Sequence, residues 1–173
     1  SLSLAPTREL AAQVADSVEK FSAYHKLSMA LLIGGVSFTE QNAALSKGVD
    51  ALIATPGRLL DHFERGKVLL NDVKILVIDE ADRMLDMGFI PDVERIASLL
   101  PRMRQPLFFS ATLSDDIQQL GAQYVMNPKV IEVAPPAATT HPVAHTCLWT
   151  DARNTRQLLH ALREGLLQAS LGA

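Results

Sequence analysis

The sequence has one cysteine, no long apolar run and no excess of basic residues; the first two shortages exclude classes of protein, and the third limits how nucleic acid could bind. A single Cys147 among 173 residues excludes an internal disulfide and indicates a reducing compartment. No apolar run approaches the ~18 residues that a membrane-spanning helix needs. Residues 1–10 lack the charged and apolar regions of a signal peptide. We therefore predict a cytoplasmic protein without a membrane partner.

The charge balance limits how the chain could bind nucleic acid. A formal net charge of −3 provides no general basic surface, so such binding would depend on a local patch. A hydrophobic content of 48% is typical of a globular protein, and the length allows one complete domain and the start of another. The first residue is not methionine and apolar sequence begins at once, so we expect the parent chain to begin upstream.

Short apolar runs alternate with amphipathic stretches, which is the pattern of β-α units in a parallel sheet. The runs are mostly continuous, which predicts strands covered on both faces, and right-handed crossovers predict a three-layer α/β/α sandwich. The predicted strands are 2–5, 29–33, 51–54, 75–78, 107–109 and 130–133. The first predicted helix has an N-cap at Thr7 and one apolar stripe formed by Leu10, Val14, Val18 and Phe21.

A change of composition at residues 134–142 divides the chain. Three prolines, several alanines and two threonines replace the periodic pattern there, which predicts a linker. A predicted strand at 143–150 and a leucine-rich helix stripe at 158–167 follow, and these are too little for a domain. We predict a first domain at 1–133, a linker at 134–142 and the truncated start of a second domain at 143–173.

Three carboxylates, Asp79, Glu80 and Asp82, follow directly on the fourth predicted strand. Carboxylates this close repel one another unless a cation or donor compensates. Mg²⁺ prefers oxygen ligands and is typically held by one or two carboxylates together with substrate phosphates. The cluster therefore predicts magnesium-dependent phosphate chemistry, although for an isolated tetrapeptide a solvated turn with capping carboxylates is an equal alternative.

Polar or glycine-rich segments also follow four other predicted strands, at the position where parallel sheets bind ligands. Arg8 and Arg58 lie near the starts of predicted helices, where backbone N–H groups favour anions. Together with Thr7, Thr55 and the glycines, they predict a groove for a sugar-phosphate backbone, which positions a strand without reading its sequence. For Arg8 alone, a surface salt bridge is the simpler interpretation.

Taken in order, these segments resemble the motifs of the DEAD-box RNA helicases, which are ATP-dependent proteins of helicase superfamily 2. Short tetrapeptides recur by chance, whereas five motifs in register on predicted strand ends are a specific signal. The matching segments are 6–11 (motif Ia), 34–35 (the glycine doublet), 55–58 (motif Ib), 79–82 with its continuation 83–89 (motif II) and 110–112 (motif III).

The resemblance implies a RecA-like domain that binds ATP, Mg²⁺ and RNA. In this scheme Asp79 holds Mg²⁺ through water, and Glu80 orients or deprotonates the attacking water. Asp82 would be linked to Ser110 and Thr112, coupling hydrolysis to strand separation. The implied RNA contacts are Pro6, Thr7, Arg8, Gly34, Gly35, Thr55, Pro56, Gly57 and Arg58.

The main departure from the family is that no G-x-x-x-x-G-K-[ST] phosphate-binding loop occurs in the sequence. The resemblance implies that this loop and its strand precede residue 1 and that the arginine-bearing motifs lie beyond residue 173. We therefore predict that residues 1–173 alone do not hydrolyse ATP. An open hydrophobic edge at 107–109 should also make them unstable or prone to self-association.

Two other functions are compatible with the residues. One is a noncatalytic RNA-binding or scaffold protein that has lost the nucleotide loop. The other is an unrelated metal-dependent phosphohydrolase that uses Asp79 and Glu80 directly. A Gly-Lys-Thr loop upstream would argue against the first, and salt-dependent RNA binding that is lost on Arg58→Ala would argue against the second.

Overall fold

A computed structural model of the chain describes residues 1–125 and 128–131. Within these residues, five β-strands alternate with six α-helices, as the sequence pattern predicts. In chain order the elements are β1 (Leu2–Leu4), α1 (Arg8–Phe21), β2 (Met29–Leu32), α2 (Phe38–Leu45), β3 (Ala51–Ala54), α3 (Pro56–Glu64), β4 (Ile75–Ile78), α4 (Ala81–Asp86), α5 (Ile90–Leu99), β5 (Gln105–Phe108) and α6 (Asp115–Tyr124).

The strands form one sheet in the order β2-β3-β1-β4-β5, and every neighbouring pair is parallel. In this register Leu4 pairs with Ala54 on one side and with Ile78 on the other. The three central strands therefore end level with one another. The residues that follow them lie side by side, at the edge where parallel sheets bind ligands.

Helices cover both faces of the sheet, which confirms the predicted α/β/α architecture. The larger core contains Leu2, Leu4 and Leu76 from the sheet, packed with Leu59 of α3 and Ile96 of α5, and all five are fully buried. Burying one such side chain contributes about 1.5–3 kcal/mol relative to leaving it in water. The opposite face carries a smaller cluster beneath α1, because side chains alternate between the two faces of a strand.

The face that α1 presents to the sheet differs from the prediction. Ala11 and Ala15 are its buried residues, and Val14 and Val18 are only partly buried. Small side chains let the helix approach β2 and β3 closely. Phe21 is 86% exposed, so its assignment to the apolar stripe was wrong: the side chains of α1 that pack on the sheet end at Val18.

Strand β5 is the edge of the sheet, as predicted, and within the described residues its outer side has no partner strand. It begins two residues earlier than predicted, because it includes Pro106. A proline has no N–H to donate and is tolerated at a sheet edge. Near β5, on the face that carries α1, Ile75, Leu107 and Phe109 are 37%, 37% and 53% exposed. Helix α1 therefore covers only part of its face.

The remaining predicted elements are tested only in part. Val130 and Ile131 are not in a strand, while residues 132–133, the linker at 134–142 and the elements at 143–150 and 158–167 lie outside the described residues. No helix in the described ranges has the length and apolar character needed to cross a membrane.

Candidate functional site

All five motif segments meet at the carboxyl edge of the sheet. Along this edge the strand order places 34–35 first, then 55–58, 6–8, 79–82 and finally 110–112. We call the first three segments, on β2, β3 and β1, the glycine-arginine half. The last two, on β4 and β5, are the carboxylate half. The two halves adjoin between β1 and β4.

Three helices begin in the glycine-arginine half, so their positive N-terminal ends lie at this edge. The Leu10 N–H donates to Thr7 Oγ1 at 3.3 Å, which confirms Thr7 as the N-cap of α1. Helix α3 begins with Pro56, and Thr55 makes no side-chain capping bond. Its remaining first-turn N–H groups are unpaired donors of the kind that bind phosphate.

Arg8 lies directly over Gly35. The backbone of Gly35 has φ +77°, and a Cβ added there would lie 2.6 Å from Arg8 Nη1. The left-handed backbone favours glycine at this position, and a larger residue would displace the exposed guanidinium of Arg8 from above it. The contact joins motif Ia to the glycine doublet and leaves Arg8 exposed at the edge.

Arg58 turns back into the domain. Its Nε donates to Gln41 Oε1 at 2.9 Å, and its Nη2 donates to the Val36 carbonyl. The guanidinium carbon lies 3.4 Å from the centre of the Phe38 ring, which adds a cation–π contact. The guanidinium has five N–H groups, and the other three make no hydrogen bond within the described residues.

Gln41 bonds to both Arg58 and His62, and the sequence did not single out either Gln41 or His62. His62 is fully buried and its Nε2 lies 2.7 Å from Gln41 Oε1. Burial, followed by the positive charge of Arg58, lowers the pKa of His62 below its ordinary value of 6.5. No sequence signal linked these residues, because they are 21 positions apart on different helices.

In the carboxylate half, Asp79 follows β4 directly and its Oδ1 accepts the Glu80 N–H at 3.0 Å. Asp79 and Phe109 also lie at the border of an open pocket of about 320 Å³ between α1 and the sheet, whose walls are mostly apolar residues of α1, β1 and β3. The described residues contain no group of three or more His, Cys, Asp and Glu side chains that could hold a metal ion.

Glu80 has a left-handed backbone with φ 48° and ψ 54°, and it is the one non-glycine residue in the described part of the chain with positive φ. Such a conformation costs roughly 1–3 kcal/mol and recurs at functional sites. The side chain pairs with Arg83 at 3.1 Å, but both groups are well exposed, so this pair adds little stability. Sequence gives no sign of this strain, since positive φ is typical of glycine and asparagine.

The structure brings Asp82 to motif III through Thr112. Asp82 Oδ2 accepts the Thr112 N–H at 3.1 Å and the Thr112 hydroxyl at 3.2 Å. Ser110 does not bond to Asp82; its hydroxyl oxygen instead accepts the Thr112 N–H at 3.4 Å. Of the two hydroxyls considered for this link, Thr112 makes it directly and Ser110 supports Thr112.

The three-layer α/β/α sandwich, with carboxylates at one strand end and a glycine- and arginine-bearing edge beside them, has the architecture of the RecA-like domains of helicases. The profile of the DEAD/DEAH box helicase family matches residues 1–120, and the chain belongs to this family.

Two curated relatives and one solved structure illustrate the similarity. The chain is 42% identical over 159 residues to the ATP-dependent RNA helicase DbpA of Bacillus subtilis, covering 92% of this chain and 33% of that protein. It is 46% identical over 138 residues to the ATP-dependent RNA helicase RhlB of Pseudomonas putida, covering 78% and 35%. A crystal structure of a DEAD box protein from Methanococcus jannaschii matches with TM-score 0.69 and 43% identity, covering 73% of this chain and 34% of that one. The chain thus spans about a third of the length of these relatives.

Proposed function

We propose that the intact protein is an ATP-dependent RNA helicase and that residues 1–131 supply part of both its ATP site and its RNA surface. The observation that carries the proposal is that the two halves adjoin on one sheet edge. Pairing of Leu4 with Ile78 sets motif Ia beside the acidic tetrad. A nucleotide bound to one half would then affect the strand that the other half binds. The names of the curated relatives support the same activity.

In the proposed ATP site the carboxylates have separate roles. Asp79 is suited to hold Mg²⁺ through water, because it lies at the carboxyl end of β4 and only its Oδ1 is engaged, by the Glu80 N–H, which leaves Oδ2 for a water of the ion. When bound, Mg²⁺ would neutralise charge on the nucleotide phosphates. Glu80 would orient or deprotonate the attacking water. Its left-handed backbone supports this role, since such strain persists where a site requires a fixed direction.

Asp82 would couple the ATP site to RNA through motif III. The two bonds from Thr112 to Asp82 Oδ2 connect the strand end of β5 to α4, and the Ala81 N–H also donates to the Phe109 carbonyl at 3.0 Å. A movement of the tetrad would therefore be transmitted to β5. Ser110 contributes by holding the Thr112 N–H.

The proposed RNA surface is the glycine-arginine half. Arg8 is exposed beside Gly35, and α3 presents unpaired N–H groups at Gly57. These are backbone-directed contacts, so binding is expected to be independent of RNA sequence and sensitive to salt. The full proposed set is Pro6, Thr7, Arg8, Gly34, Gly35, Thr55, Pro56, Gly57 and Arg58. We propose RNA and ATP as the partners and the cytoplasm as the compartment.

The test is ATP hydrolysis by the full-length gene product with and without single-stranded RNA. We expect RNA-stimulated turnover, a loss of about 10²–10⁴-fold on Glu80→Gln, and unchanged RNA affinity in that variant. Residues 1–173 alone should show no turnover.

Two outcomes would contradict the proposal. RNA binding without hydrolysis would indicate a noncatalytic RNA-binding protein. Hydrolysis that RNA does not stimulate, from a protein that binds no RNA, would indicate a phosphohydrolase.

A further inference from the structure

A buried polar cluster lies beneath the glycine doublet. Gln41 and His62 are the two polar side chains that are buried in the described part of the chain, with exposures of 4% and 0%. Buried polar groups cost free energy unless they are hydrogen-bonded, and a core leucine would avoid that cost. Their presence therefore requires a reason beyond packing.

The hydrogen atoms in this cluster can be assigned. Gln41 Oε1 is an acceptor, so both Arg58 Nε (2.9 Å) and His62 Nε2 (2.7 Å) donate to it. His62 Nδ1 is buried without a partner. His62 is therefore the neutral tautomer that carries its proton on Nε2, consistent with its lowered pKa.

The cluster binds both carbonyls that flank the glycine doublet. Gln41 Nε2 donates to the Ile33 carbonyl at 2.9 Å, and Arg58 Nη2 donates to the Val36 carbonyl. Phe38 closes the cluster, because its ring contacts Arg58 and lies 4.8 Å from the His62 ring. The four residues from Ile33 to Val36 are thus held at both ends.

We propose that Gln41 and His62 are positioning residues for RNA binding. His62 fixes the amide of Gln41, Gln41 fixes Arg58, and the three side chains hold the turn that presents Gly35 and Arg8 to the RNA backbone. This inference rests on the proposed function. It also gives Arg58 a second role, because two of its N–H groups bond within the domain, to Gln41 Oε1 and the Val36 carbonyl.

The first test measures affinity for a fluorescent single-stranded RNA in the full-length gene product. His62→Leu keeps apolar volume but removes the donor, and we expect affinity to fall about tenfold, the upper range for one hydrogen bond. His62→Gln places an amide N–H near the position of Nε2 and should restore most of the affinity. Val93→Ala, a buried change on α5, is the stability control and should leave affinity unchanged.

The second test separates positioning from direct phosphate contact. Arg58→Lys keeps the charge but cannot donate from two separate nitrogens to Gln41 Oε1 and the Val36 carbonyl. We therefore expect it to weaken RNA binding as His62→Leu does. Affinity falls with salt, so the slope of log affinity against log salt is negative. Its magnitude should stay unchanged in His62→Leu and should decrease by about one in Arg8→Ala. If His62→Leu fails to fold, Gln41→Met supplies the same comparison, because it removes the acceptor shared by Arg58 and His62 at a residue outside the proposed RNA-contact set.

The outcomes are distinct. Wild-type affinity in folded His62→Leu, equal weakening by Val93→Ala, or no rescue by His62→Gln would overturn the inference and leave the proposed function intact. Full retention of affinity in Arg58→Lys would likewise show that these two bonds of Arg58 are not needed. A wild-type protein that binds no RNA would overturn both.

Discussion

The glycine-arginine half and the carboxylate half of the same sheet edge differ in how far their polar groups are satisfied within the domain. In the first, Gln41, Arg58 and His62 form a connected set of bonds that fixes the turn at Gly34 and Gly35. In the second, Glu80 is strained, β5 is an open edge and apolar side chains near it are exposed. One half is preorganised, and the other is incomplete within the described residues.

The difference indicates which contacts each half needs from elsewhere. A surface that binds a flexible RNA backbone gains affinity when its own groups are already fixed, because less order is lost on binding. A hydrolytic site instead needs a nucleotide, a metal ion and further protein groups before its carboxylates act. We therefore expect substitutions in the first half to change RNA affinity, and substitutions in the second to change turnover or coupling.

The largest effect on the first half is expected at Gly35. Gly35→Ala forces φ +77° on alanine, so we expect a loss of roughly 1–3 kcal/mol in the free energy of unfolding, and its Cβ displaces the guanidinium of Arg8, so we also expect weaker RNA binding. Gly48→Ala is the matched control, with φ +72° and nothing within 4 Å. Chemical denaturation should show similar losses in both variants, whereas RNA affinity should fall in Gly35→Ala alone; equal RNA affinities would show that the Arg8 contact is unimportant.

A smaller effect is expected at the proposed coupling link of the second half, between Thr112 and Asp82. Thr112→Val removes the hydroxyl bond to Asp82 but keeps the backbone N–H. A hydrogen bond to a charged acceptor contributes about 1.5–3 kcal/mol, and exposure places this one at the lower end. We expect RNA unwinding to fall about tenfold while RNA-stimulated ATP hydrolysis is retained. Ser110→Ala should have the weaker effect, and the reverse order would contradict the link drawn here.

The open face near β5 should affect association more than stability. In residues 1–173 expressed alone, Leu107→Lys is expected to reduce self-association, measured by sedimentation, and to change the free energy of unfolding by no more than ~0.5 kcal/mol. Leu69→Lys is the control, since Leu69 is 84% exposed in the loop between α3 and β4. A wild-type fragment that stays monomeric at high concentration and unfolds cooperatively would count against the expected open hydrophobic edge.

The smallest effect is a pH dependence from His62. Burial and Arg58 lower its pKa in the folded state, so the unfolded chain binds the proton more readily. This contribution to stability is present above the ordinary pKa of 6.5 and is lost as the pH falls below it. The stability advantage of wild type over His62→Gln should therefore shrink between about pH 7.5 and pH 5.5. Denaturation curves at both values test this, and a constant difference would contradict it.

Much of the fold could be predicted because its signals are local. Continuous apolar runs marked the five described strands to within two residues, and the segments after them were correctly placed at strand ends. Pro106 hid the start of β5, since a proline normally argues against a strand. Phe21 was misassigned because periodicity identifies a helix face but does not show where the sheet beneath it stops.

The sequence alone determined which residue types follow each strand, and so which segments could meet at one edge of a parallel sheet. Tertiary structure decided their neighbours: β1 between β3 and β4, Arg8 over Gly35, and Thr112 instead of Ser110 on Asp82. It also decided the burial of His62 against Gln41 and the left-handed turn at Glu80. These features depend on contacts between residues far apart in the chain or on a backbone held by its surroundings, and local propensity carries no information about either.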